Sequence, residues 1–129
     1  LLIAGLAGGK RVHLPAFDGE RGVYLVREIC DLEADIQPGR FRIPEPGAHC
    51  RVVPVGELDL LLVPGLAFDA AGGRLGRGKG FYDRLLAQAS GKIWGVGFLQ
   101  QIGPPIPMEP HDRRLDGVIT AEGWLARPG

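Results

Sequence analysis

The stretch from Glu57 to Arg84, ELDLLLVPGLAFDAAGGRLGRGKGFYDR, decides the fold that we predict for this chain. Its apolar run Leu60–Val63 has the length and flanks of a buried strand. A glycine-rich loop follows from Gly72, and the pattern of Phe81–Ala89 predicts a helix. Strand, glycine-rich loop and helix in this order predict an anion site, because glycines let the backbone approach a ligand and a helix N-terminus adds N–H donors.

The glycine loop also carries three cations, Arg74, Arg77 and Lys79, so a polyphosphate is the predicted ligand. Gly73–Lys79 matches G-x-x-x-x-G-K, the body of a P-loop, but the next residue is Gly80 rather than Ser or Thr. The hydroxyl that a P-loop offers to Mg²⁺ is therefore missing. A flexible surface turn with solvated charges is the alternative interpretation, although an apolar strand and a helix flank the loop directly.

The composition is that of an ordinary soluble globular protein. The 129 residues suffice for one domain with a core, and 45% of them are hydrophobic and 23% charged. Fifteen basic and fifteen acidic residues cancel, so no global charge predicts a nucleic-acid or membrane partner. Cys30 and Cys50 lack C-x-x-C spacing, so we expect free thiols in the reducing cytoplasm rather than a metal knuckle or disulfides.

The alternation of strands with helices or long crossovers favours a parallel α/β sheet flanked by helices. The predicted strands are Arg11–Leu14, Val23–Ile29, Leu60–Val63, Ile93–Phe98 and Leu115–Thr120. Pro15 is expected to stop the first of them. Ligands of such folds lie at the carboxyl ends of strands, so the loops after Leu14, Val63 and Phe98 are expected to approach one another.

Three segments carry a resemblance to a known family. LLLVPGLAFDAAGGRLGRGKGFYDRLL, from Leu60, matches a strand ending V-P-G-x-x-F-D that runs into R-L-G-x-G-x-G-[YF]-Y-D. Ile43–Pro46 matches I-x-[EQ]-P, and Pro107–Thr120 matches P-x-E-x-H-D-x-x-[VL]-D-x-[VI]-[IV]-T. Over these segments the chain resembles the 5-formyltetrahydrofolate cyclo-ligases, also called methenyltetrahydrofolate synthetases.

The resemblance implies a fold and an activity. The fold is a Rossmann-like three-layer α/β/α sandwich with a mostly parallel sheet, as in sugar-phosphate isomerases and CoA transferases, here a single domain over residues 1–129. The activity is ATP- and Mg²⁺-dependent closure of 5-formyltetrahydrofolate to 5,10-methenyltetrahydrofolate, with release of ADP and phosphate. The family's N-terminal ATP- and folate-contacting region would precede Leu1, so we expect the natural protein to start earlier.

The predicted catalytic residues are Lys79 and Arg77, because phosphoryl transfer depends on positioning and charge neutralisation. The residues predicted to bind ATP are Arg74, Leu75, Gly76, Arg77, Gly78, Lys79, Gly80, Phe81 and Tyr82. The resemblance implies that the folate is bound by Phe41, Arg77, Gly78, Lys79, Gly80 and Phe81. Plain packing is the alternative for the three aromatic residues, Phe41, Phe81 and Tyr82.

The resemblance places the Mg²⁺ ligands at Asp83 and Asp112, and carboxylates are a sensible replacement for the hydroxyl that Gly80 lacks. Each has a structural alternative: Asp83 as a first-turn helix acid, Asp112 as a turn residue. If this pair fails, Asp69 and Asp116 are the next candidates.

The implied partners are ATP and 5-formyltetrahydrofolate, with neither nucleic acid nor membrane; the oligomeric state is open, with a monomer expected. A non-catalytic nucleotide-binding module on the same fold is a competing interpretation. An ATP-dependent enzyme that acts on another formyl or amide substrate is a third.

Overall fold

The computed structural model describes residues 9–39, 42–76, 80–110 and 112–126. The chain divides into two compact units, Leu1–Pro54 and Val55–Gly129. The expectation of a single domain stays a prediction. Within the described residues, no helix is long and apolar enough to cross a membrane.

The first unit contains two β-hairpins. β1 (Val12–Asp18) pairs antiparallel with β2 (Val23–Ile29), and β3 (Ile36–Pro38) pairs antiparallel with β4 (Pro44–Pro46). The backbone after β4 adds to this unit, because Val53 N–H donates to the Val26 carbonyl at 2.9 Å. The buried side chains of the unit include Ala16, Val26, Ile29, Pro46, Cys50 and Val53.

The prediction that Pro15 stops the first strand is wrong. β1 continues through this proline to Asp18, with Pro15 opposite Val26 in the hairpin register. Among the described residues β1 has one partner strand, β2. An edge strand tolerates proline, because the missing N–H can fall on the side that has no ladder.

The second unit carries the mixed sheet. Its elements are β5 (Leu60–Val63), β6 (Ala67–Phe68), β7 (Arg74–Leu75), α1 (Phe81–Ala87), β8 (Lys92–Val96), β9 (Gly117–Thr120) and β10 (Gly123–Ala126). Within the described residues the sheet order is β10-β9-β8-β5, while β6 and β7 form a small separate hairpin. β5, β8 and β9 run parallel, and β10 returns antiparallel to β9. The fold is therefore mixed α/β, and the sheet combines both kinds of pairing.

The core of the second unit centres on Phe68, which has no exposed surface. Its ring packs directly on the backbone of β8 and the loop that follows. A Cβ atom added at Gly95 or Gly97 would lie 2.6 or 2.9 Å from this ring. Glycine is needed at both positions because no side chain fits between strand and ring. Other fully buried side chains are those of Ile93, Leu115 and Val118.

The helix α1 is shorter than predicted, since it ends at Ala87 rather than at Ala89. The N–H of Gln88 donates to the Leu85 carbonyl at 3.1 Å, three residues back. Such i→i−3 bonds tighten and close a last helical turn. The core-facing side of the helix is formed by two buried leucines, Leu85 and Leu86.

The parallel pairing of β5 and β8 brings the loops after their carboxyl ends together. Gln101, in a short 3₁₀ turn after β8, donates from Nε2 to the carbonyls of Gly65 and Leu66 at 2.9 and 3.2 Å. The predicted approach of the loops after Val63 and Phe98 is therefore confirmed. The predicted strand end at Leu14 is wrong, because this residue lies inside β1.

Candidate active site

The predicted site residues fall into two groups by position. The structure describes Arg74, Leu75, Gly76, Gly80, Phe81, Tyr82, Asp83 and Asp112. Outside the described residues lie Phe41, Arg77, Gly78 and Lys79. The roles of both predicted catalytic residues therefore stay predictions, and the observed geometry is that of the segments flanking the loop and of the segment around Asp112.

The guanidinium of Arg74 is held by three contacts, one from the loop after β5 and two from the start of α1. Its side chain is only 7% exposed, and Nε donates to the Pro64 carbonyl at 2.6 Å. Nη1 lies 3.5 Å from Oδ1 of Asp83, and the guanidinium carbon lies 5.2 Å from the ring centre of Tyr82. Burial lowers the pKa of Arg74, although Asp83 and Tyr82 oppose the shift. Arg74 is thus an oriented cation that ties the end of β5 to the start of α1.

The backbone around the loop is shaped by two glycines. Gly80 has φ 72°, in the left-handed region, and its carbonyl accepts the N–H of Arg84 at 3.0 Å. It opens α1 without a side-chain cap. A Cβ at Gly76 would lie 3.1 Å from Nη1 of Arg74, so this glycine leaves room for the arginine. Leu75, the last residue of β7, is half exposed.

The aromatic pair at the start of α1 lies beside arginines. Phe81 and Tyr82 are both half-buried. The Arg84 guanidinium carbon lies 5.2 Å from the ring centre of Phe81, and Arg74 lies at the same distance from Tyr82. Cation–π contacts of this kind contribute about 0.5–1 kcal/mol at exposed sites. They orient the rings whether or not a nucleotide or folate binds there.

Asp83 is the exposed carboxylate of the site. Its side chain is 67% exposed, in the first turn of α1, and it forms an ion pair with Arg74. Ion pairs of exposed carboxylates contribute only about 0–1 kcal/mol. The pair with Arg74 therefore leaves the Asp83 carboxylate available to bind a cation. Both the predicted metal role and the helix-acid alternative agree with this position.

Asp112 lies beside a surface cavity of about 450 Å³. Its Oδ2 accepts the N–H of Glu109 at 2.7 Å, and its own N–H donates back to the Glu109 carbonyl at 3.0 Å. The cavity is lined by Met108, Glu109, Pro110, Asp112, Arg113, Arg114 and Asp116. One or two carboxylates with phosphate oxygens and water form the usual ligand set of Mg²⁺. Asp83 and Asp112 fit that set chemically, and their sharing of one ion stays a prediction.

The two next candidates for the metal are engaged in holding backbone. Asp69 is 5% exposed: Oδ1 accepts the N–H groups of Ala71 and Gly73 at 2.9 and 2.8 Å, and Oδ2 that of Ile106 at 2.7 Å. Burial opposes its charge, but these donors outweigh burial and lower the pKa of Asp69. Asp116 accepts the Ile93 N–H at 2.9 Å. Both carboxylates have a structural role that the sequence did not predict.

Sequence reasoning missed Gln101, whose amide joins the loops after β5 and β8. Besides its two donated bonds, its Oε1 accepts the Phe98 N–H at 2.8 Å. The available signal was its position: a polar side chain just beyond the carboxyl end of a buried strand, where α/β folds place their sites. Gln101 thereby positions the loop that leads from β5 towards the glycine segment.

Comparison with known proteins gives this geometry a family. A model of the 5-formyltetrahydrofolate cyclo-ligase family matches residues 1–121. The 5-formyltetrahydrofolate cyclo-ligase of Escherichia coli K12 is 36% identical over 116 residues, which cover 87% of this chain and 64% of the relative. The Mus musculus enzyme of the same name is 38% identical over 89 residues, 64% of this chain and 41% of that protein.

Solved structures agree with the family match. The 5,10-methenyltetrahydrofolate synthetase of Aquifex aeolicus superimposes with a TM-score of 0.83 at 32% identity, over 99% of this chain and 64% of that one. The Mycoplasma pneumoniae synthetase, at 21% identity and a TM-score of 0.67, shows likeness of fold. The chain spans less than two thirds of the length of each of these relatives.

Proposed function

This chain belongs to the 5-formyltetrahydrofolate cyclo-ligase family, and from this premise we propose that it converts 5-formyltetrahydrofolate to 5,10-methenyltetrahydrofolate at the expense of ATP. The observation that carries the proposal is the family match over residues 1–121, which includes the glycine loop, Asp83 and Asp112. The Aquifex aeolicus likeness over 99% of the chain supports it.

The proposed reaction activates a poor electrophile. The formyl oxygen on N5 attacks the γ-phosphorus of ATP, and ADP leaves. N10 then attacks the activated formyl carbon and loses its proton. Phosphate departs with the former formyl oxygen, which leaves the methenyl bridge between N5 and N10. Such phosphoryl transfer needs in-line positioning and neutralisation of charge on the phosphate oxygens.

Cations at the glycine loop meet these needs. We assign the transferring phosphoryl group to Lys79 and Arg77, with Lys79 acting as a point charge. Arg74, at the N-terminal side of the loop, supports ATP binding. Its contacts with the Pro64 carbonyl, Asp83 and Tyr82 fix the orientation of its positive charge. A pre-oriented cation loses little conformational entropy when the triphosphate binds.

The remaining ATP contacts are proposed at Leu75, Gly76, Gly78, Gly80, Phe81 and Tyr82, and the folate contacts at Phe41, Arg77, Gly78, Lys79, Gly80 and Phe81. For the residues that the structure describes, the support is that they directly precede or follow the glycine loop. Left-handed Gly80 carries no Cβ, so its backbone is open to close approach by a ligand.

Asp83 and Asp112 are the proposed ligands of Mg²⁺. The support is chemical: Asp83 is exposed, and Asp112 borders a cavity. The bound ion supplies neutralisation of phosphate charge. Asp69 is a poorer ligand, since both of its oxygens already accept backbone N–H groups.

The finer features expected of the family are proposed with the activity. They are a Rossmann-like three-layer sandwich with a mostly parallel sheet, a single domain, a cytoplasmic monomer, and no nucleic-acid or membrane partner. Two of the three described pairings in the sheet are parallel, which supports the mostly parallel sheet.

A direct assay tests the activity. The full-length protein is mixed with ATP, Mg²⁺ and 5-formyltetrahydrofolate, and the absorbance of the methenyl product is followed together with phosphate release. We expect equal amounts of product and phosphate, both dependent on ATP. ATP binding with neither product nor folate-dependent phosphate release would favour the non-catalytic nucleotide-binding module instead.

A further inference from the structure

The hairpin β3–β4 gathers three metal-ligating side chains at one end. Asp35 immediately precedes β3, and His49 and Cys50 follow β4 in the next turn. Because Ile36 pairs with Pro46, these two turns must lie side by side. The Gly47 N–H extends the ladder by donating to the Asp35 carbonyl at 2.9 Å.

The ligand atoms of these residues converge. Oδ1 of Asp35, Nε2 of His49 and Sγ of Cys50 all lie within 4.8 Å of one another. Nε2 is 2.8 Å from Oδ1 and 3.7 Å from Sγ. One carboxylate, one imidazole and one thiol supply oxygen, nitrogen and sulfur atoms of the kinds that Zn²⁺ binds in proteins.

We propose that Asp35, His49 and Cys50 bind Zn²⁺, with water in the fourth position. In a tetrahedral zinc site the nitrogen and sulfur ligands lie about 3.6 Å apart, close to the observed 3.7 Å. The nitrogen and oxygen ligands need roughly 3.3 Å, so the ion must widen the observed 2.8 Å separation. His49 can make this shift, because its side chain is 60% exposed.

The surroundings hold two of the ligands in place. The second oxygen of Asp35, Oδ2, accepts the N–H groups of Cys30 and Asp31 at 2.7 and 3.0 Å, which directs Oδ1 towards the histidine. Hydrogen bonds of this outer kind orient metal ligands. Cys50 is buried, so its sulfur has a fixed position. The exposed histidine provides the entry path.

A nucleophilic cysteine is the other chemistry open to these residues, and the geometry disfavours it. In a Cys–His–Asp triad the two ring nitrogens face different partners, whereas here the same nitrogen, Nε2 of His49, faces both Asp35 and Cys50.

Metal titration of the untagged protein tests the proposal. Zn²⁺ binding is measured by calorimetry, and Co²⁺ is used as a spectroscopic substitute. We expect one Zn²⁺ per chain and a thiolate-to-Co²⁺ absorption band. His49→Ala and Cys50→Ser each weaken Zn²⁺ binding by about 10- to 100-fold or more, and Cys50→Ser also abolishes the band.

Matched variants keep the test decisive. Cys30→Ser removes the other free cysteine and should leave Zn²⁺ binding unchanged. His49→Ala replaces an exposed side chain, so it reports even if Cys50→Ser does not fold. The proposal is overturned if wild type and His49→Ala bind Zn²⁺ equally, if no thiolate band forms, or if Cys30→Ser weakens binding as much as Cys50→Ser.

Discussion

Two aspartates at the ends of one short segment have opposite surroundings. Asp69, in the turn between β6 and β7, is 5% exposed and accepts three backbone N–H groups. Asp83, in the first turn of α1, is 67% exposed and lies 3.5 Å from one arginine nitrogen. A buried carboxylate whose oxygens all hold backbone stabilises the fold, whereas an exposed one remains available to a ligand. Asp69 is therefore expected to serve stability and Asp83 to serve binding.

The largest expected effect lies between the two aspartates, at Lys79. Lys79→Ala removes a charge-assisted phosphate contact and should raise the transition-state free energy by about 2–4 kcal/mol, with little change in folding. The measurement is kcat/KM for ATP, with exposed Lys10→Ala as the matched control. Near-normal kcat/KM in Lys79→Ala would contradict the assignment of this loop to phosphate.

The comparison itself predicts a difference in stability. Asp69→Asn replaces one acceptor oxygen by an amide donor and leaves at least one buried N–H without a partner. We expect a loss of about 1–3 kcal/mol. Asp83→Asn is the control, with a loss of about 0–1 kcal/mol. Urea unfolding at constant m-value gives both numbers, and equal losses would show that the contrast in burial has no energetic consequence.

The lowered pKa of Asp69 predicts a pH dependence. Its folded-state pKa lies below its ordinary value near 3.8, so its contribution is present above the unfolded pKa and is lost as the pH falls through the folded one. The free energy of unfolding should decline below about pH 4 more steeply for wild type than for Asp69→Asn. Parallel declines would assign the acid sensitivity to other groups.

The exposure of Asp83 predicts that activity depends on this carboxylate through Mg²⁺. Asp83→Asn and Asp112→Asn should each raise the Mg²⁺ concentration needed for half-maximal activity, by about ten-fold or more, and lower kcat. If the two share an ion, the double variant loses less than the sum, with a coupling of about 0.5–3 kcal/mol. Strict additivity would mean that the carboxylates act at separate places.

The smallest effect concerns the backbone at Gly80. Its φ of 72° disfavours a side chain, while nothing lies within 4 Å of an added Cβ. Gly80→Ala should therefore cost about 1 kcal/mol through conformation alone. Gly103 has equally open space without a left-handed φ, so Gly103→Ala should be neutral in the same thermal unfolding experiment. Similar Tm values for the two variants would contradict the strain at Gly80.

Much of the second unit is predictable because its signals are local. The apolar run Leu60–Val63 becomes β5 with the predicted bounds, and α1 begins at Phe81 as predicted. β10 escaped prediction because all of its residues are exposed and its main support is pairing with β9. Strands that depend on a neighbour for their stability leave little pattern in their own sequence.

The sequence by itself determined the order of the main elements, the family and the kinds of charged group that each segment carries. Those properties depend on residue type and spacing along the chain. Only the tertiary structure decided which carboxylates are engaged in hydrogen bonds. Asp69 accepts the N–H of Ile106, which is 37 residues away in the sequence, and Asp35 is hydrogen-bonded to His49, which is 14 residues away. Burial and hydrogen bonding depend on such contacts between distant residues. The local pattern of any one segment therefore does not predict them.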